Sequence, residues 1–178
     1  MKNVVPKPFA VWLTGLPSSG KSTIARTLSK KLEEFGFKVQ ILESDEVRKL
    51  LTPSPRYDER ERDYFYRALA VIGKYLIDNG INVIFDATAH KRRYRDYARE
   101  LIEKFIEVYV FCPIDICIER DKKGLYKLAM EGKITTLPGL QVPYEEPLNP
   151  EVKVDTYKEN LDEIISKIIA TIIKKLIE

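Results

Sequence analysis

The chain has 178 residues, of which 44% are hydrophobic and 32% charged, and its formal net charge is +3. This length and balance predict one soluble globular domain, residues 1–178, that is large enough to bury a core. The small net charge does not indicate nucleic acid as a partner, and no apolar run is long enough to span a membrane. The first nine residues lack the apolar stretch of a signal peptide, so the expected location is the cytoplasm.

Strand and helix patterns alternate along the chain. Strands are predicted at residues 9–14, 39–42, 81–85, 106–111 and 152–154, and helices at residues 22–35, 45–51, 59–78, 94–104 and 161–176, with a further turn and helix from Pro113. Strands that alternate with helices indicate a parallel sheet covered on both faces. The sequence therefore predicts an α/β fold of three layers, with a mainly parallel five-stranded sheet between two layers of helices.

One long segment, residues 121–150, mixes glycine, proline and charged residues without a clear hydrophobic period. A loop of this length inside a compact domain is typically a lid or a binding segment. Ligands of parallel α/β sheets bind at the carboxyl ends of the strands. We therefore expect this lid segment to cover a site at that edge of the sheet.

A glycine loop follows the first predicted strand. Residues 15–22 read G-L-P-S-S-G-K-S and match the phosphate-binding pattern G-x-x-x-x-G-K-[ST] between a strand and a helix. Gly15 and Gly20 allow the loop to turn its N–H groups around a polyphosphate, and the helix dipole adds positive potential. The loop predicts ATP and Mg²⁺ as ligands, with Lys21 at the β- and γ-phosphates and the Ser22 hydroxyl on the metal. The predicted nucleotide-binding residues of the loop are Gly15, Leu16, Pro17, Ser18, Ser19, Gly20, Lys21, Ser22 and Thr23.

Polar side chains follow the second and third predicted strands. Asp45 and Arg48 stand three residues apart, so a carboxylate and a guanidinium can face one pocket and hold an acceptor hydroxyl and an acceptor phosphate. Alternatively, Asp45 is a helix N-cap and Arg48 a solvated surface charge. Asp86 ends an apolar strand, where it can hold Mg²⁺ through water or simply cap the strand.

Other polar clusters permit a functional interpretation or a structural one. The cations of residues 90–95 can line an anionic acceptor or form a solvated helix face, and His90, the only histidine, is interpreted as a hydrogen-bonded bystander. Aromatic and arginine residues alternate over residues 57–67, a composition that can stack a base, although a helix would turn half of them away. Cys112 and Cys117 lack the second pair of a zinc site and are expected to be reduced, with one or both of them buried near a strand end.

The stretch of residues 119–156 closely resembles the adenylyl-sulfate (APS) kinase family. It contains R-D-x-K-G-L-Y at Arg120–Tyr126 and P-Y-E-x-P-x-x-P at Pro143–Pro150, and the glycine loop and the strand before the stretch match in order. The resemblance implies a P-loop kinase fold. It also implies transfer of the ATP γ-phosphate to the 3′-hydroxyl of adenosine 5′-phosphosulfate, in sulfate assimilation, with Mg²⁺ and a homodimer.

The resemblance also implies roles for individual residues. The family pattern D-G-D-N-V-R corresponds to residues 43–48, E-S-D-E-V-R, which makes Asp45 the acceptor-site carboxylate and, with Lys21, a catalytic residue. Arg48 becomes a contact of the APS phosphosulfate, and Arg120 joins the nucleotide-binding residues. The implied substrate-binding residues are Asp45, Arg48, Tyr57, Arg62, Lys123 and Leu137.

Three of the departures of this sequence from the family pattern bear on the identity of the acceptor. Phe65 replaces an asparagine, Ala89 replaces a serine, and Leu137 replaces an aromatic residue that stacks on the APS adenine. The stretch F-D-A-T-A-H-K-R-R-Y-R looks more like kinases of polynucleotide ends or of other small molecules. Such a kinase is therefore the alternative function. A third hypothesis is a nucleotide-binding switch without turnover, against which Asp45 and the lid segment argue.

Overall fold

A central sheet of five strands organises the computed structural model, which describes residues 7–177. The strands are β1 (Ala10–Thr14), β2 (Val39–Glu43), β3 (Asn82–Asp86), β4 (Phe105–Phe111) and β5 (Val152–Asp155). Their order across the sheet is β2-β3-β1-β4-β5, and all neighbours run parallel. The predicted α/β fold is thus confirmed. Residues 1–6 and 178, which hold most of the stretch inspected for a signal peptide and both ends of the predicted domain, lie outside the described residues.

Seven helices connect and cover the strands within residues 7–177. They are α1 (Lys21–Glu34), α2 (Ser44–Leu51), α3 (Glu59–Asp78), α4 (Arg92–Leu101), α5 (Ile114–Glu119), α6 (Leu125–Met130) and α7 (Leu161–Ile177). None of these described helices has both the length and the apolar character needed to cross a membrane.

The two faces of the sheet carry separate hydrophobic cores because successive strand residues point to opposite sides. Val11 and Leu13 belong to the core shared with α1 and α7, whereas Trp12 belongs to the core shared with α3 and α4. Trp12 stacks on Phe85 at a centroid distance of 4.5 Å. Gly73 lets α3 approach this ring, since a Cβ there would lie 2.2 Å from the Phe85 ring. These contacts fix the helices against the sheet and bring the strand ends to a common edge.

The fourth helix is shifted from its predicted position. Residues 94–104 were expected to be helical, but α4 spans Arg92–Leu101. Ile102 is buried with extended backbone angles, φ −117° and ψ 114°, and residues 102–104 lead into β4. Burial of Ile102 against the sheet therefore ends the helix earlier than its residue preferences indicate.

The lid segment is more ordered than its sequence predicts. It contains α6, whose first turn is capped by Asp121: this carboxylate accepts hydrogen bonds from the N–H groups of Leu125, Tyr126 and Lys127. Tyr126 and Leu137 are buried in a small third core together with other residues, namely Cys112, Cys117 and Ala129. A helix of six residues is too short to display a period, so the sequence alone suggests a loop.

The two cysteines are free and buried in this third core. The Cys117 thiol donates to the carbonyl oxygen of Cys112 at 3.8 Å. Burial is the main cause that raises the pKa of Cys117 to about 12. A thiol with so high a pKa is mostly protonated near neutral pH, so Cys117 packs as a small apolar residue.

Candidate active site

The glycine loop joins β1 to α1, and two of its glycines are required by the geometry. A Cβ at Gly15 would lie 2.3 Å from the carbonyl oxygen of Val110 on β4, so only glycine fits there. Gly20 has φ +102°, a backbone angle that side chains disfavour. The chain can thus turn tightly between a buried strand and the first turn of a buried helix.

The Lys21 ammonium and the Ser19 hydroxyl are hydrogen-bond donors of the glycine loop that suit a polyphosphate. The Lys21 ammonium donates to the carbonyl oxygens of Gly15 and Leu16 at 3.0 and 2.8 Å. Burial lowers the pKa of Lys21, and the charges of Asp86 and Asp45 partly oppose this effect. The Ser19 hydroxyl is buried and has no hydrogen-bond partner among the described residues. Because an unpaired buried hydroxyl is costly, its position fits a ligand that accepts hydrogen bonds.

Ser22 and Asp86 line one cleft of about 370 Å³ between α1, β2 and α2. Asp86, at the end of β3, is 4% exposed. Hydroxyl and carboxylate oxygens suit Mg²⁺, which commonly takes one or two protein ligands together with water and phosphate oxygens. Within residues 7–177 no group of three or more His, Cys, Asp or Glu side chains could hold a metal ion by itself. The residues present therefore fit a metal ion that arrives with a nucleotide.

Asp45 lies in the first turn of α2, which begins one residue earlier at Ser44. Its carboxylate accepts a hydrogen bond from the Lys123 ammonium at 2.5 Å, and Glu43 lies 3.8 Å from the same ammonium. Partial burial acts to lower the pKa of Lys123, but the hydrogen bond and charge of Asp45 and the charge of Glu43 raise it above the ordinary value. The lid segment thus brings a protonated amine to the predicted catalytic carboxylate.

Arg48 is buried, so its interpretation as a solvated surface charge is wrong. Its guanidinium donates to the Glu61 carboxylate at 3.0 Å and lies 3.7 Å from the Phe65 ring centroid. Tyr57, which precedes α3, has a left-handed backbone angle, φ +58°. Its ring centroid lies 5.0 Å from the Arg48 guanidinium. Phe65, one of the departures from the family pattern, therefore serves as an aromatic surface for Arg48.

Arg62 links α3 to the lid segment. One guanidinium nitrogen donates to the carbonyl oxygen of Thr136 at 2.8 Å, and another lies 3.4 Å from His90 Nε2. Burial, followed by the charge of Arg62, lowers the pKa of His90 to about 4. Leu137, next to Thr136, is 6% exposed and packs in the third core. Its contact with an acceptor base therefore remains a prediction.

Arg120 reaches the glycine loop through a residue that the sequence did not single out. Its guanidinium donates to both the side-chain and the main-chain oxygen of Thr156 at 3.1 Å. The Thr156 hydroxyl donates in turn to the carbonyl oxygen of Ser19 at 2.8 Å. No local pattern marks Thr156, because its partner lies 137 residues away in the chain.

The cations of residues 90–95 pair with acidic side chains and main-chain oxygens, so their interpretation as the lining of an acceptor site stays an untested prediction. Arg95 is 1% exposed and donates to Glu107 at 2.7 Å, while Arg93 donates to Asp63 at 2.5 Å. Lys91 pairs with Glu59, and Arg92 donates to the carbonyl oxygen of Glu146. These ion pairs and hydrogen bonds use the charges to connect α4 with its neighbours.

The alternating aromatic and arginine residues of α3 do not form one stacking surface. Tyr66 is 7% exposed and belongs to the core, whereas Tyr64 is 63% exposed. The helical period separates them, as the sequence predicted. Tyr57, which precedes the helix, adjoins two arginines: its ring centroid lies 5.0 Å from the Arg48 guanidinium and 5.9 Å from that of Arg62.

Comparisons with known proteins identify the family of this chain. A profile of the adenylylsulphate kinase family matches residues 7–155. A probable adenylyl-sulfate kinase of Archaeoglobus fulgidus is 45% identical over 152 residues, which cover 85% of this chain and 98% of the relative. The adenylyl-sulfate kinase of Rippkaea orientalis is 41% identical over 158 residues, 89% of this chain and 87% of the relative. The Mycobacterium tuberculosis APS kinase, solved with AMPPNP and APS, is 32% identical with a TM-score of 0.88, covering 94% of this chain and 98% of that one.

Proposed function

The chain belongs to the adenylyl-sulfate kinase family, and we propose that it transfers the γ-phosphate of ATP to the 3′-hydroxyl of adenosine 5′-phosphosulfate. The observation that carries this proposal is the position of Asp45. This carboxylate is paired with Lys123 of the lid segment, at the edge of the sheet that also holds the complete glycine loop. A phosphate cradle and an acceptor-side carboxylate at one edge are the parts that phosphoryl transfer to an alcohol requires.

The nucleotide side of the reaction belongs to the glycine loop. Its backbone N–H groups and Lys21 hold the β- and γ-phosphates and oppose the charge that develops as the γ-phosphoryl group leaves ADP. Ser22 and Asp86 would hold Mg²⁺, Asp86 through water, and the ion would neutralise phosphate charge when bound. To reach the phosphates, Lys21 exchanges its hydrogen bonds to Gly15 and Leu16 for bonds to the ligand.

The acceptor side belongs to Asp45 and to the arginines beyond it. The 3′-hydroxyl oxygen forms a bond to the γ-phosphorus, the bond from that phosphorus to the β,γ-bridging oxygen breaks, and ADP leaves. Asp45 orients the hydroxyl and accepts its proton. Arg48 and Arg62 hold the anionic groups of APS, and Tyr57, which adjoins both guanidinium groups, contacts the adenine.

The lid segment, residues 121–150, completes the site in this proposal. Lys123 contacts Asp45, and Thr136 accepts from Arg62, so both acceptor-side residues touch the segment. Ordering of such a segment over bound substrates excludes water, which would otherwise compete with the alcohol for the phosphoryl group. Hydrogen exchange with and without substrates tests this ordering. The homodimer and the cytoplasmic location also belong to the proposal, and sedimentation equilibrium tests the first.

The decisive experiment is a panel of acceptors incubated with radiolabelled ATP and Mg²⁺. The panel contains APS, adenosine 5′-monophosphate, simple sugar alcohols and a polynucleotide with a free 5′-hydroxyl. Transfer to APS alone, at its 3′ position, supports the proposal. Transfer to another alcohol or to the polynucleotide end would replace APS with the alternative acceptor. ATP binding without transfer to any acceptor would instead identify a nucleotide-binding switch.

A further inference from the structure

Two hydroxyl groups from outside the glycine loop donate hydrogen bonds to its main-chain carbonyl oxygens. The Tyr126 hydroxyl of α6 donates to the carbonyl oxygen of Pro17 at 2.9 Å, and the Tyr126 side chain is fully buried. The Thr156 hydroxyl, just after β5, donates to the carbonyl oxygen of Ser19 at 2.8 Å. Neither hydroxyl belongs to the loop, and neither residue has a role in the phosphoryl-transfer chemistry described above.

These two hydrogen bonds determine where two N–H groups of the loop point. The described residues contain no cis peptide bond, and in a trans peptide the carbonyl oxygen and the following N–H point in opposite directions. Holding the Pro17 oxygen therefore directs the N–H of Ser18 away from Tyr126. Holding the Ser19 oxygen likewise directs the N–H of Gly20 away from Thr156.

The N–H groups directed in this way are free to bind a ligand. Within residues 7–177 neither Ser18 nor Gly20 donates a main-chain hydrogen bond, whereas the N–H of Ser19, between them, donates to the carbonyl oxygen of Leu16 at 3.1 Å. Ser18 has φ +63° and Gly20 has φ +102°, backbone angles that need outside support in the case of Ser18. The loop thus presents alternate N–H groups, the arrangement of an anion-binding nest.

The main chain of both Tyr126 and Thr156 is itself held by a hydrogen bond. The main-chain N–H of Tyr126 donates to Asp121 at 2.8 Å, which fixes α6. The main-chain N–H of Thr156 donates to the carbonyl oxygen of Phe111 at 3.0 Å, which fixes Thr156 to the end of β4.

We propose that Tyr126 and Thr156 are positioning residues that orient the Ser18 and Gly20 N–H groups toward the β- and γ-phosphates before the nucleotide binds. The inference rests on the proposed function, because it requires a polyphosphate in the loop. Donors that are oriented in advance bind without paying for reorganisation. The two hydroxyls therefore strengthen binding of a polyphosphate and leave binding of a nucleoside monophosphate unchanged.

The test compares variants that differ by a single hydroxyl. Thr156→Val removes the hydroxyl, and Thr156→Ser keeps it, so the two form a matched pair. Tyr126→Phe removes the other hydroxyl, and Tyr109→Phe, at a buried tyrosine of β4, is its control. Titration calorimetry measures the Kd of each protein for ADP, AMP and inorganic tripolyphosphate, with APS at saturation so that AMP does not occupy the acceptor site. Tripolyphosphate has no adenine, so any indirect effect of Thr156→Val through Arg120 on the base is excluded.

We expect Thr156→Val and Tyr126→Phe each to weaken ADP and tripolyphosphate binding about fivefold to tenfold, the usual worth of one hydrogen bond, with AMP unchanged. Thr156→Ser and Tyr109→Phe are expected to match the wild type. Equal ADP affinity in Thr156→Val and Thr156→Ser would overturn the proposal for Thr156, and equal loss for AMP and ADP would overturn it for either residue. A wild-type protein that binds neither ADP nor tripolyphosphate would instead refute the proposed function. If Tyr126→Phe does not fold, the Thr156 pair decides the outcome.

Discussion

Lys123 and Asp45 form an ion pair of 2.5 Å, although 78 residues separate them in the chain. Lys123 belongs to the lid segment and Asp45 to the first turn of α2, and the side chains are 55% and 54% exposed. An exposed pair of this kind contributes little to stability. Its significance is positional, since it places the lid segment beside the carboxylate that the proposed reaction uses.

Asp45→Asn is expected to lower kcat about 10²- to 10⁴-fold, the range typical of general-base residues, and to leave the Kd for ATP nearly unchanged. The amide keeps the shape of the side chain but cannot accept the proton. Initial rates and titration with ATP measure the two quantities. Glu34→Gln is the control, since this carboxylate, the last residue of α1, pairs with Lys31 at 2.9 Å on the surface. Equal losses of kcat and ATP affinity in Asp45→Asn would indicate a metal-binding or folding role.

Lys21→Ala is expected to lower kcat by at least about 10²-fold, because it removes the cation that the proposed reaction places at the transferred phosphoryl group. Lys30→Ala, which changes an exposed lysine of the same helix, is the matched control and should keep wild-type rates. Single-turnover rates with saturating ATP separate this effect from weaker binding. A rate for Lys21→Ala within a few-fold of the wild type would contradict its assignment.

Asp86→Asn is expected to raise the Mg²⁺ concentration needed for half-maximal activity about 10- to 100-fold, the usual effect of losing a carboxylate that orients the water ligands of a metal. The side chain is 4% exposed in the cleft that also contains Ser22. Mg²⁺ titrations at saturating ATP measure the shift. Asp78→Asn, at the end of α3, is the control. An unchanged Mg²⁺ requirement would leave Asp86 with only the strand-capping role.

Tyr57→Ala is expected to raise the KM for APS about tenfold, since base stacking on one aromatic ring is worth roughly 1 to 3 kcal/mol. The KM for ATP should not change. Tyr57→Phe keeps the ring and is expected to behave as the wild type. The ring also lies 5.0 Å from the Arg48 guanidinium, so its loss could disturb this arginine as well as the stacking. The Kd for inorganic sulfate, measured in the same variants, reports anion binding separately from base stacking. An unaltered KM for APS in Tyr57→Ala would place the adenine elsewhere.

His90→Gln is expected to flatten the pH dependence of stability between about pH 6.5 and pH 4. Burial lowers the pKa of His90 from 6.5 to about 4 in the folded protein. The unfolded chain therefore binds more protons in this range, and the free energy of unfolding falls as the pH falls. Urea unfolding at several pH values measures the slope. Since His90 is the only histidine, an identical slope in the variant would show that carboxylates alone cause it.

Sequence determined those parts of this protein that depend on neighbouring residues. The glycine loop is contiguous, so its eight residues identified the phosphate cradle, and alternating strand and helix patterns identified the parallel sheet. Asp45 and Asp86 were predicted as site residues because they lie at or just after the ends of the second and third strands, and strand ends of a parallel sheet share one edge. Local preference also located α3 at residues 59–78, as the structure has it.

Tertiary structure decided what the long-range contacts do. Arg48 is a buried cation that contacts Glu61 and Phe65. Arg95, which the sequence analysis grouped with the other cations of residues 90–95, donates a hydrogen bond to buried Glu107. Tyr126 and Thr156 donate hydrogen bonds to residues of the glycine loop that lie 109 and 137 positions away in the chain. A charged or hydroxyl side chain can pair with many partners of similar energy, and only the packed fold determines which of them lies within hydrogen-bonding distance.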